Sequence, residues 1–549
     1  MSEKIRIKIL SGDDAFIGEF DSGITLLSAI RQSGLSDDHH LHTPCAGKGT
    51  CGKCLVRATG ALDAISEEEK KLISADDLAS GYRLSCRAKA VGDAEITYDS
   101  TSEKSADIAV SAQSGAKEYP LSPISNSNYG IAVDIGTTTV AVYLVNLKSG
   151  EIIDTRAFMN PQSEAGSDVI SRIQYTTETD GGKERLASLI SDAISAATLS
   201  LVESASISRF DISVMTIAGN TVMEHFIAAI DARSIAAAPF DAPSLFGEFC
   251  SADKLGLANC MSENARVYLA PCVASYVGGD LTAGTVAAGL KYMSGNHLFI
   301  DIGTNGEMGL LSEGKITFCA TAAGPAFEGA HIKCGMSGLP GAIRGVTLTD
   351  GGAITLSTIG DAPPKGICGS GIIDAAAVFL KLGLIDETGC ILCADEVEGD
   401  YADLENLTEF ADEDGETLYF GEDKTVYLTG ADIREIQLAK SAVSAGVMTL
   451  LSHRGVDIAS VDSVMLAGGF GSKIDPGSAC DIGLIPSELR GKIRALGNTA
   501  GNGAVMMLLS NAALADAEET AKTSEYLELS CNSYFMEEFV ERMMFQQNK

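Results

Sequence analysis

The sequence predicts an α/β chain: a small β-rich N-terminal domain, a Ser-rich linker, and a large body in which one mixed-sheet half is used twice. Three observations lead there. Residues 131–145 (IAVDIGTTTVAVYLV) and 298–312 (LFIDIGTNGEMGLLS) each hold an apolar run, an Asp-Ile-Gly-Thr turn and a second alternating run, so one β-hairpin is repeated. Residues 464–471 (VMLAGGFG) read as an apolar strand entering a Gly-rich turn. Residues 4–20 alternate apolar and polar side chains ahead of a loop crowded with cysteine.

In chain order, KIRIKIL and AFIGEF predict an opening hairpin, and Thr25 to Ser33 a short helix stopped by Gly34. The segment TPCAGKGTCGKCLVRATG sets Cys45, Cys51 and Cys54 in a Gly-rich loop that leads into a strand, and Cys86 follows in YRLSCRAKA. Four thiolates complete the tetrahedral coordination of two irons, and small loop residues let backbone amides point at the sulfurs. The spacing Cys-x5-Cys-x2-Cys has one residue more in its first gap than the plant type and resembles the adrenodoxin-like and other variant [2Fe-2S] ferredoxins. The resemblance implies a β-grasp [2Fe-2S] ferredoxin domain over residues 1–99. Structural zinc is the competing reading, but zinc sites more often pair two Cys-x2-Cys knuckles and only one is present here. His39, His40 and His42 lack the Cys-x-His pairing of a Rieske centre and read as a solvated loop.

Residues 100–129 are Ser-rich without sustained period and read as a flexible linker. The body, 130–549, follows, with a first lobe over about 130–295 and a second over about 296–549. Helical sequence is expected around 184–204, a strand at 211–226 carrying Asn220 and Glu224 after a glycine turn, and an Ala-rich helix behind Gly278, Gly279 and Asp280. AAGPAFEGAHI (322–332) and GICGSGIIDAAAVFL (366–380) each read as a glycine turn feeding a helix. Cys390 and Cys393 form a second Cys-x2-Cys and read as plain thiols, the acidic stretch 394–423 as an exposed insertion. A long helix is expected at 431–453, a glycine-tolerant helix start at 497–509, and a strand with a terminal amphipathic helix in the last 30 residues.

The repeated hairpins suit phosphate chemistry. Turns at Gly136 and Gly303, with Gly306 after the second, allow backbone amides and the hydroxyls of Thr137, Thr138, Thr139 and Thr304, with Asn305, to surround phosphate oxygens. Asp134 and Asp301 stand at the strand ends, where two carboxylates hold a hydrated Mg²⁺. The ordered set of two such hairpins and a later strand with paired glycines resembles the phosphate 1, phosphate 2 and adenosine motifs of the acetate kinase, sugar kinase, Hsp70 and actin (ASKHA) superfamily. That resemblance implies an ATPase of two duplicated mixed-sheet halves closing on ATP, with Gly468, Gly469 and Gly471 behind the adenosine. Glu307, Asp280 and Glu328 are candidates for orienting the attacking water.

A formal charge of −34 and a pI near 4.5 argue against nucleic acid or anionic membrane as partner. No signal peptide opens the chain and no apolar run approaches the ~20 residues of a membrane span, so a cytoplasmic protein is expected. Fourteen cysteines without a secretory signal point to thiols, metal ligands or clusters.

A [2Fe-2S] domain joined by a linker to an ASKHA ATPase resembles, over nearly the whole chain, the reductive activators of corrinoid proteins in anaerobic methyltransferase and O-demethylation systems. The resemblance implies that ATP drives an uphill electron from the cluster to a corrinoid protein whose cobalt has slipped to Co(II), restoring Co(I), with a low-potential donor refilling the cluster. It also admits a homodimer. The energetics fit: plant-type clusters lie near roughly −400 mV, and each ~59 mV uphill is a tenfold penalty for one electron. Longer relatives carry a small extra domain between linker and ATPase, whereas here only about 30 residues separate the domain that holds Cys86 from Asp134. Two alternatives are an activator of a 2-hydroxyacyl-CoA dehydratase or similar low-potential enzyme, and a redox-sensing nucleotide clamp that passes no electron on.

Overall fold

The computed structural model describes residues 4–12, 14–33, 35, 41, 43, 47, 49, 52–98, 119–349, 353–392, 408–411, 415–420, 424–471 and 473–545. The chain forms two units, Met1–Lys104 with Pro161–Tyr175, and Ser105–Asn160 with Thr176–Lys549.

In the first unit, β1 (Lys4–Ser11) and β2 (Asp14–Asp21) make the expected hairpin. After them come β3 (Ile24–Thr25), α1 (Leu26–Gln32), β4 (Leu55–Leu62), α2 (Glu67–Leu72), α3 (Ala75–Ala79), β5 (Tyr82–Leu84) and β6 (Lys89–Thr97). The sheet runs β2-β1-β6-β4-β5 with β3 beside β6, and β1 is parallel to β6. Alternation along β1 sends Ile5, Ile7 and Ile9 to the same buried cluster as Leu26, Ala29 and Ile30 of α1, which is the reason a helix is held in the grasp of the sheet. Thr25 starts that helix by accepting the Ser28 amide at 3.2 Å. Buried Arg83 on β5 pairs with Glu69 of α2 at 2.8 Å and with Asp63 at 3.1 Å, fixing the strand from which Cys86 emerges.

The second unit opens with β7 (Tyr129–Ile135), β8 (Thr139–Asn146) and β9 (Ile152–Met159). α4 (Val169–Glu178), assigned to the first unit up to Tyr175, and α5 (Gly182–Ser204) precede β10 (Ile212–Gly219), α6 (Thr221–Ile227), β11 (Glu248–Ser251), β12 (Arg266–Leu269) and α7 (Gly279–Ala288). Its first sheet is ordered β11-β12-β10-β7-β8-β9. The chain continues through β13 (His297–Ile302), β14 (Gly306–Ser312), β15 (Lys315–Thr321), β16 (Ala342–Leu348), β17 (Ile354–Thr358), β18 (Gly366–Ile367), α8 (Gly369–Lys381), β19 (Thr408–Ala411), β20 (Gly415–Tyr419), β21 (Tyr427–Thr429) and α9 (Gly430–Arg454). It ends with β22 (Ser463–Ala467), α10 (Gly468–Gly471), α11 (Pro476–Asp481), β23 (Ile493–Gly497), α12 (Thr499–Leu509), α13 (Asn511–Thr523), β24 (Glu525–Tyr526) and α14 (Ser533–Glu541). The second sheet is ordered β23-β22-β13-β14-β15-β24.

The two sheets repeat one topology. In each, a hairpin (β7–β8, β13–β14) extends antiparallel into a third strand (β9, β15). On its other side lies a parallel strand (β10, β22) followed by a further parallel strand (β12, β23). Parallel central strands are covered on both faces, so they read as near-continuous apolar runs. β10 and β22 accordingly bury almost every residue.

Several expectations change in the structure. The segment 211–226 is not one strand: Asn220 accepts the Met223 amide and starts α6. AAGPAFEGAHI forms only a 3₁₀ turn at Pro325–Glu328 rather than a helix. Part of the acidic stretch pairs as β19–β20–β21, with Leu418 fully buried, so a bare exposed insertion is too simple. Helix α5 has the length and composition to cross a membrane, contrary to expectation. Its Leu186, Ile190, Ile194 and Leu201 are nevertheless fully buried, and the helix packs on β8, β9 and α6.

Residues 119–128, within the stretch read as linker, are pinned down. The Tyr119 hydroxyl donates to Asp516 (2.8 Å), and the amides of Ser122 and Ile124 donate to the carbonyls of Leu509 and Leu508 at 3.0 and 3.2 Å. Packing also crosses the lobe limit read near 295. Ala504, Val505, Met507, Leu508, Ala513 and Ala517 of α12 and α13 join Ala132, Tyr143 and Tyr268 in the core of the first sheet.

Candidate functional site

In the first unit, Cys54 precedes β4 and Cys86 follows β5, and the antiparallel register Leu55↔Leu84 brings these ends together. The Ser85 amide donates to the Cys54 carbonyl at 2.9 Å, and the two Sγ atoms lie 3.2 Å apart. Gly47 adopts φ +82, and a Cβ built on it would meet the Cys86 Cβ at 3.7 Å and Leu27 at 3.1 Å, so Gly47 lies close against the Cys86 side chain. Paired soft donors beside a glycine suit an iron or iron–sulfur centre. Cys45 and Cys51, the other two expected ligands, lie outside the described residues, as do His39, His40, His42 and Cys393.

In the second unit, the twin topology places Asp134 and Asp301 alike, each one residue before the end of its strand. Their parallel neighbours are Ala218 on β10 and Ala467 on β22. Each neighbour strand then turns through glycine into a helix, by Gly219-Asn220 in one half and Gly468-Gly469 in the other. Gly468 has φ +88, and a Cβ there would stand 2.4 Å from Asp301 Oδ1, so no larger residue fits beside this carboxylate. At Gly469 a Cβ would meet nothing within 4 Å, while Gly471 lies against Leu466.

The hairpin turns are tight. Gly136 donates its amide to the Thr139 carbonyl at 3.0 Å, Gly303 to Asn305 at 2.9 Å, and Gly306 accepts from the Thr321 hydroxyl at 3.3 Å. Asn160 donates to the Gly136 carbonyl (2.8 Å) and Asn220 to the Thr137 hydroxyl (3.0 Å). The hydroxyls of Thr138 and Thr304 both donate to Glu328, at 2.6 and 2.7 Å. From the far end of the chain, Asn498 donates to Asp134 at 2.8 Å while capping α12 through the Gly501 amide, also at 2.8 Å.

Asp280, in the first turn of α7, joins the two aspartates, and Glu307 faces Asp301 across the hairpin register. Burial pushes Asp134 up to about 7, with the Asn498 hydrogen bond opposing and the charge of Asp280 adding. Burial, then Asp280 and Asp134, push Asp301 to about 7. Burial raises Asp280 to about 6. Burial first, then Asp280 and Asp301, hold Glu307 well above the usual carboxylate range. The four acids feel one another's charge, but among the described residues no three His, Cys, Asp or Glu side chains group closely enough to ligate a metal ion together, so a hard cation here would have to be held through its hydration water. Of the five predicted acids, Asp134, Asp301, Asp280 and Glu307 act on one another electrostatically, while Glu328 bonds Thr138 and Thr304. The sequence reading missed Asn160 and Asn498; the only signal was a resemblance between IAGN (217–220) and LAGG (466–469), which marks the duplicated turn but not these partners.

The raised carboxylates have a consequence for stability. Folded Asp280 keeps its proton to higher pH than the unfolded residue, so its penalty is absent below about pH 4, grows as pH rises, and is complete above about pH 6. Asp280→Asn is therefore expected to stabilise the chelator-treated protein by about 3 kcal/mol at pH 8 and to change little at pH 4. Urea unfolding at the two pH values would check it, and equal gains at both would contradict this account of the cluster.

Two like sheets with facing Asp-bearing hairpins define an ASKHA-type two-lobed body, here accompanied by a β-grasp domain of ferredoxin type. Residues 295–549 match the family described as the C-terminal domain of RACo, the ASKHA domain, and residues 129–293 match the RACo middle region. The segment read from sequence as the first ATPase lobe is thus what that family calls its middle region. The chain is 33% identical to the corrinoid activation enzyme RamQ of Eubacterium limosum, over 79% of this chain and 72% of that protein. It is 25% identical to the [Co(II) methylated amine-specific corrinoid protein] reductase of Methanosarcina barkeri, over 74% and 75%. A solved reductive activator for corrinoid, iron-sulfur protein superposes with a TM-score of 0.70 at 30% identity, covering 99% of both chains. The chain belongs to the family of reductive activators of corrinoid proteins.

Proposed function

We propose that this protein reductively activates a corrinoid protein of a methyltransferase system, passing one electron to its cobalt to convert Co(II) to Co(I), with ATP hydrolysis driving the transfer. The observation that carries the reading is the pair of like hairpins bearing Asp134 and Asp301 at matching positions, whose carboxyls feel each other's charge, in a chain of this family. The names of two relatives, an activation enzyme for corrinoid and a reductase of a Co(II) corrinoid protein, support the choice of acceptor.

Cys45, Cys51, Cys54 and Cys86 would hold a [2Fe-2S] cluster, which supplies a one-electron carrier at low potential. A low-potential donor gives up one electron for each cobalt reduced, so the redox balance closes without a further reactant. Between the two hairpins, Asp134 and Asp301 would position a hydrated Mg²⁺, and the turns at Gly136 and Gly303 would present amides to the phosphates. Thr137, Thr138, Thr139 and Thr304 add hydroxyl donors, while Gly468, Gly469 and Gly471 back the adenosine. Asn498 holds Asp134 in place from behind. Glu307 and Asp280 would add negative charge on the cation side and orient the water that attacks the terminal phosphate.

The test is anaerobic. Reconstituted protein, a low-potential reductant and candidate Co(II) corrinoid proteins are mixed, and the Co(I) absorption band is followed with and without Mg-ATP. An ATP-dependent rise supports the reading. No rise with any candidate, despite an intact cluster spectrum and ATP turnover, moves the assignment to another electron acceptor.

A further inference from the structure

We propose that Glu328 is an internal competitor for the nucleotide: its carboxylate occupies the place of a phosphate, ties the two hairpins together through Thr138 and Thr304, and is displaced when nucleotide binds. This rests on the reading of the cleft as a nucleotide site and adds a residue and a regulatory role to it.

The geometry is that of a bound anion. Each carboxylate oxygen takes one hydroxyl: Oε2 accepts from Thr138 at 2.6 Å and Oε1 from Thr304 at 2.7 Å. The two hydroxyls belong to different halves of the duplicated body, Thr138 to the turn after β7 and Thr304 to the turn after β13. Charge-assisted O–H···O⁻ bonds of this length are among the stronger hydrogen bonds, so the pair is a specific clasp and not a passing contact. A terminal phosphate offers the same hydroxyls the same kind of oxygen. Two anions cannot share two hydroxyl protons, and their charges repel at such range. One must leave.

Glu328 is built to be the one that leaves. It ends the 3₁₀ turn Pro325–Glu328, whose Ala326 and Phe327 are each only 1% exposed in the core of the second half. The backbone is thereby fixed, and release needs only rotation of the glutamate side chain about its own torsions. The clasp also lowers the apparent affinity for nucleotide by the fraction of molecules in which it is closed. Nucleotides with more phosphates have more to gain from opening it.

Calorimetric titration of the full-length protein with Mg²⁺ and adenylyl imidodiphosphate, ADP or AMP, using wild type, Glu328→Gln and Glu328→Ala, tests the proposal. Glu328→Ala is expected to bind the ATP analogue at least fivefold more tightly than wild type, ADP by a smaller factor, and AMP unchanged. Glu328→Gln, which keeps one acceptor and guards against misfolding, should fall between. Unchanged or weaker binding of the ATP analogue by the variants, or an equal gain for all three nucleotides, overturns the clasp while leaving the nucleotide site intact. Failure of wild type and both variants alike to bind any of the three removes the nucleotide reading itself and the clasp with it.

Discussion

Cys86→Ala is expected to lower electron delivery to the corrinoid acceptor by at least about 100-fold while leaving nucleotide affinity within about twofold. Cys86 leaves the end of β5, and its sulfur stands 3.2 Å from that of Cys54, so alanine removes half of a preformed donor pair. The β5 strand is fixed by the Arg83–Glu69 pair, and Cys86 only borders the small cluster of Cys54, Ile73 and Leu84. The visible cluster spectrum, iron content, ATP turnover and Co(I) formation are measured on one preparation. Full-rate Co(I) formation by a variant lacking iron would refute the assignment of these cysteines.

Asp134→Asn should give the opposite pattern, with an unchanged cluster spectrum and ATP hydrolysis slowed about 100-fold, and with it the ATP-dependent part of cobalt reduction. Asparagine is nearly the same size, so the hairpin and the Asn498 contact can persist, but the negative charge that would face the cation is gone. The loss should appear mainly in kcat, with a smaller change in KM, because the hydroxyls proposed to bind the phosphates remain. A large rise in KM with kcat intact would place Asp134 in ground-state binding alone. Since burial pushes this carboxyl to about 7, loading of the cation should also release protons near neutral pH. The wild-type calorimetric heat should therefore depend on the ionisation enthalpy of the buffer, and that dependence should shrink in Asp134→Asn.

Much of this arrangement is legible from the amino-acid order, and the reason is locality. An Asp-Ile-Gly-Thr turn between two alternating runs carries its own geometry, so both hairpins and both aspartates can be read without knowing their surroundings. The strand entering Gly468 is legible for the same reason. Asn498 is not, because its partner Asp134 is 364 residues away and nothing in GNTAGN announces a contact with it. Glu328 shows the intermediate case. It could be singled out as an acid near a glycine turn, but its two hydroxyl partners lie 24 and 190 residues off, and only the folded chain brings both to one carboxylate. The helix misread as strand at 220–226 reflects a different limit: VMEHF is apolar enough for either state, and the Asn220 cap decides. Segment 119–128 looked like linker because Ser and Pro dominate it, yet its backbone bonds with the α12–α13 corner hold it in place.

That corner has a consequence for how the protein is made. The first sheet starts at Tyr129, but its core is closed by side chains up to Ala517. A nascent chain that has emerged only through the second hairpin still exposes the apolar face that α12 and α13 will cover, so this half cannot reach its final packing during synthesis. Its long-range closure must wait for translation of the whole second half, a period in which unpaired apolar surface invites chaperones or misassembly. The part encoded first in the body is among the last to be completed.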